Sequence, residues 1–282
     1  LKNTYRNDKL FPNIQLSKKI CFTNNIDEAI NNTNLIIIAI PTNYIEDTIK
    51  LLKNKINNNI HICIASKGIN DDTNKFAYDI VKEILKTENI SILSGPSFAI
   101  DTIKKETIIL TLAGNNSNEI KTIFPPSYIK IETTSDIIGV ELTGTLKNIF
   151  AIACGILEGI NASESTKASF LTKVIRETRN LIISFGGHNE TIFLSSGIGD
   201  IILTCSSKKS RNFTLGYLIG QNADKNKITE YLNTTTVEGL DALNSIKILL
   251  KAKNINNELI NLIYDIVNSK IIPNELLNYV IK

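Results

Sequence analysis

The chain has 282 residues, 43% of them hydrophobic and 21% charged, enough for one large or two ordinary domains with a core that needs no disulfide or metal staple. Thirty-one basic against 28 acidic residues leave a net charge of +3, without the basic excess of a nucleic-acid binder. This composition also excludes disordered and collagen-like classes. The 51 Ile, 35 Asn and 27 Lys against 4 Arg reflect coding bias, so propensity alone says little here.

The first half is predicted to alternate. Short Ile-rich runs at Ile20–Thr23, Leu35–Pro41, Ile60–Ser66, Ile90–Leu93, Thr107–Ala113 and Ile129–Thr133 have the length and β-branching of strands. Between them, Asn43–Leu52 and Asn74–Lys86 repeat apolar residues every three or four positions, as helices do. Strand, helix, strand in succession implies a parallel sheet with right-handed crossovers. Leu35–Ile40 is apolar at every position, which predicts a strand covered on both faces in the middle of that sheet.

From about Asp136 the pattern becomes helical, through Ile137–Glu158, Lys167–Ser184, Asn212–Ile219 and Leu240–Leu250. The expected class is α/β: an incomplete Rossmann-like sheet domain over residues 1–134, then an all-helical domain over 135–282. The longest apolar stretch, Leu142–Leu157, is interrupted by Lys147, so no membrane span is expected, and the chain reads as cytoplasmic. Cys21, Cys63, Cys154 and Cys205 lack ligand spacing; the first three stand in apolar runs and read as packed thiols. No metal site is expected, and neither His61 nor His188 stands in a triad-like setting.

Ligands of open parallel sheets bind beyond the carboxyl ends of the strands. There the chain reads Pro41-Thr42, Ser66-Lys67-Gly68 and Ser94-Gly95-Pro96-Ser97-Phe98-Ala99. Lys67 offers a cation beside permissive backbone, although an ordinary surface lysine in a turn fits the same pattern. Lys147 is flanked on its helix by small residues, including Gly144, Ala151 and Gly155, so close packing should deny it solvent and lower its pKa. A lysine snorkelling at a domain seam is the alternative. Downstream, Asp200, Thr204 and Ser210-Arg211-Asn212 supply an acid, hydroxyls and a guanidinium at a helix start, suited to an oxyanion or, more simply, to capping.

In this order, Ser66-Lys67-Gly68, Ser94 to Ala99, Gly139-Val140 through Lys147-Asn148, Gly199-Asp200 with Thr204-Cys205, Ser210-Arg211-Asn212 and Val237-Glu238-Gly239 resemble the NAD(P)-dependent glycerol-3-phosphate dehydrogenases over essentially the whole chain. The resemblance implies reversible hydride transfer between NAD or NADP and dihydroxyacetone phosphate, giving sn-glycerol 3-phosphate for phospholipid synthesis, in a homodimer. It makes Lys147 the acid/base, with Asp200 orienting it and Lys67 adding positive potential. It assigns substrate contacts to Lys67, Gly95, Ser97, Lys147, Asp200, Thr204, Ser210, Arg211 and Asn212, and cofactor contacts to Lys67, Ala99, Arg211, Thr236 and Glu238.

The family opens with a strand, a Gly-rich phosphate turn and a helix, about 50 residues by comparison with the fingerprint unit, that would precede Leu1. The chain is therefore expected to be an incomplete form. A non-catalytic remnant acting as a dimerising or interaction module is the competing expectation.

Overall fold

The computed structural model describes residues 1–57 and 59–282. Its elements follow in order as α1 (Ile26–Ile30), β1 (Leu35–Ile38), α2 (Ile45–Leu52), β2 (His61–Ile64), α3 (Ala77–Leu85), β3 (Ile90–Ser94), α4 (Ala99–Ile103), β4 (Ile108–Ala113), α5 (Ser117–Ile120) and β5 (Ile129–Thr134). Helices then take over: α6 (Ile137–Gly159), α7 (Glu164–Ser184), α8 (Asp200–Ser206), α9 (Arg211–Gly220), α10 (Lys225–Thr234), α11 (Glu238–Ala252), α12 (Glu258–Val267) and α13 (Glu275–Ile281). This is the expected Rossmann-like α/β sheet unit followed by helices.

The five strands lie in the order β1-β2-β3-β4-β5. The β1–β2, β2–β3 and β4–β5 pairs are parallel, whereas β3 and β4 run antiparallel, so the sheet is mixed. The change of direction falls in the connection that carries the five-residue α4. Gly95, at φ +147°, allows the backbone to leave β3 against β4: a Cβ there would stand 2.9 Å from Leu110 Cδ2 and 3.2 Å from the Ile109 carbonyl oxygen.

Two expectations about the first strands are corrected. Ile20–Thr23 forms no strand: Ile20 and Cys21 are exposed, no neighbouring strand pairs with them, and Phe22 stacks edge-on against Tyr5. Cys21 is accordingly not a packed thiol, unlike Cys63, Cys154 and Cys205. Leu35–Ile38 does form a strand, but among the described residues it is one of the two edge strands, with Ile38 buried and Ile37 49% exposed. An all-apolar run states that both faces suit burial; it does not supply the layer that would cover the second face.

Helix α6 is the axis of the second half. It is apolar all round, and nearly every residue from Gly139 to Leu157 is buried. By length and composition it would suit a membrane, yet 89% of its most apolar window is covered by the rest of the fold. Asp136 caps its start, accepting from Gly139 N at 2.9 Å. Gly155 and Gly159 face Gly216 and Gly220 of α9 so closely that a Cβ at Gly216 would lie 1.9 Å from the Ile152 carbonyl oxygen. Helices α7, α8, α9, α11 and α12 pack around this axis, and α6 also touches β3 and β4, joining the two hydrophobic cores.

Candidate active site

The ends of β2 and β3 meet α6 and α8 at one buried cluster. Lys67 follows β2, and its backbone is fixed by Thr42 Oγ1, which donates to the Lys67 carbonyl at 2.9 Å. Ser66 ties the same turn to the end of β1, its hydroxyl donating to the Ile40 carbonyl at 2.5 Å. The Lys67 side chain then runs over Gly144 of α6, where a Cβ would stand 3.5 Å from its Cγ. Its ammonium donates to Asp200 Oδ2 at 2.6 Å and to the Gly95 carbonyl at 3.4 Å.

From the other side, Lys147 Nζ donates to Asp200 Oδ1 at 2.6 Å. Thr204, one turn further along α8, donates to the same oxygen at 3.3 Å. One carboxylate, 1% exposed, thus bridges two ammonium groups. Burial by itself would raise the Asp200 pKa, but Lys67 and Lys147 outweigh it and hold the group below the usual carboxylate value. Lys147 shifts the opposite way from an ordinary ion-paired lysine: burial first, then the Lys67 charge, overcome the attraction of Asp200 and bring it down to about 8.

The turn that delivers Asp200 is held from the sheet. Glu132 on β5 accepts from the Ser195 amide and from Thr111 Oγ1 on β4, and Thr111 Oγ1 accepts from Ser196 N at 3.0 Å. Gly197 is obligatory, because a Cβ would fall 2.2 Å from the Ile192 carbonyl oxygen. Thr42 and Gly144 stand where the strand-end and small-residue patterns placed them, whereas Thr111 and Glu132 lie within ordinary strands, and only tertiary contact marks them as supports of the site.

A cleft of about 710 Å³ opens beside the cluster, at the carboxyl ends of β1 and β2. Lys67, Arg211, Thr236 and Glu238 all line it, together with Ala39 to Tyr44 and Gly68. Arg211, 55% exposed at the mouth, lies 3.7 Å from Glu238 Oε1, and Glu238 Oε2 accepts from Asn148 Nδ2 at 3.1 Å. Gly95 is buried at the cluster; Ser97, on the loop that follows, and Ala99, at the start of α4, are exposed and do not line the cleft. Two side chains read as substrate contacts are engaged internally. Ser210 caps α9, accepting from Phe213 N at 3.3 Å, and Asn212 Oδ1 accepts from Gly239 N at 2.9 Å, joining the starts of α9 and α11.

The arrangement suits proton transfer beside a redox cofactor: a buried amine near its neutral range, fixed by a carboxylate and a second cation, next to a cleft at the strand ends. Comparison with known proteins agrees. The family profile described as NAD-dependent glycerol-3-phosphate dehydrogenase N-terminus matches residues 1–120, and the corresponding C-terminus profile matches residues 136–278. The chain is 34% identical over 268 residues to a glycerol-3-phosphate dehydrogenase (NAD(P)+) of Clostridium botulinum (strain Alaska E43 / Type E3), covering 94% of this chain and 81% of that one. It is 35% identical over 264 residues to the protein of the same name in Fusobacterium nucleatum, covering 92% and 78%. The fold matches that of glycerol-3-phosphate dehydrogenase from Coxiella burnetii with a TM-score of 0.90 at 24% identity, over 100% of this chain and 87% of the other. With both profiles met in order along one polypeptide, the chain belongs to the NAD-dependent glycerol-3-phosphate dehydrogenase family.

Proposed function

We propose that this protein interconverts dihydroxyacetone phosphate and sn-glycerol 3-phosphate with NAD or NADP, as the source of glycerol phosphate for phospholipid synthesis. The observation that carries the reading is the Lys67–Asp200–Lys147 bridge, two 2.6 Å contacts on one buried carboxylate beside the cleft. The residues present fit a nicotinamide: Ala39, Pro41, Ala65 and Gly68 bring small, apolar groups to the cleft lining, and Thr236 and Glu238 bring polar ones. Lys67, Thr236 and Glu238, with Arg211 at the mouth, are the residues that would hold it. When bound, that group supplies or accepts the hydride.

Lys147 does the proton work. In reduction its ammonium gives a proton to the ketone oxygen as negative charge develops there, and in oxidation the neutral amine takes the hydroxyl proton back. Lys67 stabilises the same oxygen electrostatically, in a site where burial keeps competing water away. Asp200 fixes the direction of both ammonium groups, with Thr204 holding the carboxylate. Arg211 offers a planar guanidinium to the substrate phosphate at the mouth; Gly95, Ser97, Ser210 and Asn212 are the further substrate residues of this reading, and Ala99 a further cofactor residue, although these five do not line the cleft. Ser210 and Asn212 act in this reading through the helix starts they fix.

Residues 1–134 form the cofactor-binding unit in this reading and 135–282 the helical unit that completes the site. The same reading takes the protein to be cytoplasmic and homodimeric, the latter to be checked by light scattering. Oxidation of NADH or NADPH on addition of dihydroxyacetone phosphate, followed at 340 nm, tests the activity. A folded protein that binds neither nucleotide nor substrate would instead favour a non-catalytic interaction module.

A further inference from the structure

Two turns along α6 from Lys147 lies a second chemical feature that the proton-transfer reading leaves unused. Cys154 on α6 and Cys205 on α8 are both buried, at 8% and 3% exposure, and both line a separate cavity of about 410 Å³. Leu157, Leu171 and Phe213 form its apolar wall, and at its polar side Lys167 and Lys208 are ion-paired with Glu158 and Glu164, so the charges there are balanced. The two helices pack directly against one another. Cys205 Sγ also approaches the backbone carbonyl of Lys147 at 3.9 Å.

The two thiols are not equivalent. Cys205 is held well above the usual thiol range, first by its contact with Cys154 and then by burial. It therefore keeps its proton, with the Lys147 carbonyl within reach of its S–H, which leaves Cys154 as the sulfur that an entering reagent meets first. Cys154 is also the more exposed of the pair.

We propose that Cys154 and Cys205 form an oxidisable dithiol site, which closes to an intramolecular disulfide between α6 and α8 on reaction with a small neutral disulfide admitted by this cavity. The Cys154 thiolate attacks one sulfur of the reagent, breaking its S–S bond and releasing one small thiol once the departing sulfur takes up a proton. Cys205 then loses its proton and attacks the Cys154 sulfur of the mixed disulfide, releasing the second small thiol. The protein loses two electrons and two protons, and the reagent gains both. Closing the bridge removes the Cys205 S–H from the Lys147 carbonyl and ties α8, which carries Asp200, to α6.

The full chain, incubated with 2-hydroxyethyl disulfide, capped with N-ethylmaleimide and digested without reduction, gives the test by mass spectrometry. Exposed Cys21 reports that the reagent is active. The expected product is a Cys154–Cys205 linked peptide, lighter by two hydrogens than the sum of its parts and released by dithiothreitol. Cys154→Ala is expected to abolish the linked peptide and leave Cys205 free to cap only after unfolding. Modification of Cys21 with both Cys154 and Cys205 still free overturns the proposal, as does a stable adduct on Cys154 beside a free Cys205. The wild-type digest decides between these outcomes even if the variant does not fold.

Discussion

Lys147 and Asp200 are 53 positions apart in the chain and 2.6 Å apart in the fold, and the same carboxylate holds Lys67 from a third element. The contact joins α6 to the first residue of α8, so the acid/base group and its counter-charge are set by how two helices cross. A lysine left alone at this depth would shed its proton; the bridge keeps it charged up to about pH 8.

The first prediction concerns that proton. Ketone reduction needs Lys147 as the ammonium, so its rate should fall as pH rises through about 8; alcohol oxidation needs the amine, so its rate should rise over the same interval. Lys147→Met should lower kcat by about 10²- to 10⁴-fold in both directions, with nucleotide affinity nearly unchanged. Steady-state rates across pH 6–10 and nucleotide titration by fluorescence check both parts. A reduction profile flat across pH 8 would remove Lys147 from the proton-transfer role.

Asp200→Asn removes the one negative charge between two cations. Breaking a buried pair by deleting one partner costs roughly 3–5 kcal/mol. The variant should unfold at lower urea concentration, and the Lys147 pKa should fall further because only attraction is lost. Denaturant curves and a shifted pH–rate profile measure the two effects independently.

Arg211 stands at the mouth with its guanidinium only weakly engaged by Glu238. If it receives the phosphate, Arg211→Ala should raise KM for dihydroxyacetone phosphate on the order of ten- to hundredfold, the worth of a hydrogen bond to a charged group. The nucleotide KM should change far less. Equal losses for both ligands would place the phosphate elsewhere.

Glu141 gives a pH dependence of stability. It is buried on α6, accepts from Tyr78 N at 2.9 Å, and burial raises its pKa from 4.5 to about 8. The folded chain then holds a proton that the unfolded chain has released, so this group's contribution to stability is greatest below pH 4.5 and declines until pH passes about 8. Glu141→Gln keeps an acceptor for Tyr78 N without the charge. It should flatten that decline and be the more stable form at pH 9, by on the order of a few kcal/mol. Urea midpoints at pH 6 and pH 9 provide the measurement.

Gly216→Ala tests the helix crossing beneath the site. Its new methyl carbon would start 1.9 Å from the Ile152 carbonyl oxygen, a backbone atom that cannot swing aside. Overpacking commonly costs about 1–3 kcal/mol, and this contact should reach or exceed the upper figure. A thermal midpoint within a degree or two of wild type would contradict the close α6–α9 approach.

Much of this protein was determined by its sequence read one segment at a time. Ile-rich runs of strand length gave all five strands, and the apolar helix from Ile137 was legible because its pattern persists for 23 residues. Motif order along the chain pointed to Lys67, Lys147, Asp200 and Arg211. Local pattern could not decide neighbours. Leu35–Ile38 reads as a central strand and stands at the sheet edge, Ile20–Thr23 reads as a strand and has no partner, and the antiparallel turn of β4 depends on Gly95 meeting Leu110. The chemistry was of this second kind. Whether Lys147 is a surface cation or a near-neutral amine depends on its distance from Lys67 and Asp200 and on the exclusion of water, and charge interactions through a buried medium are set by position in space, not by position in the chain.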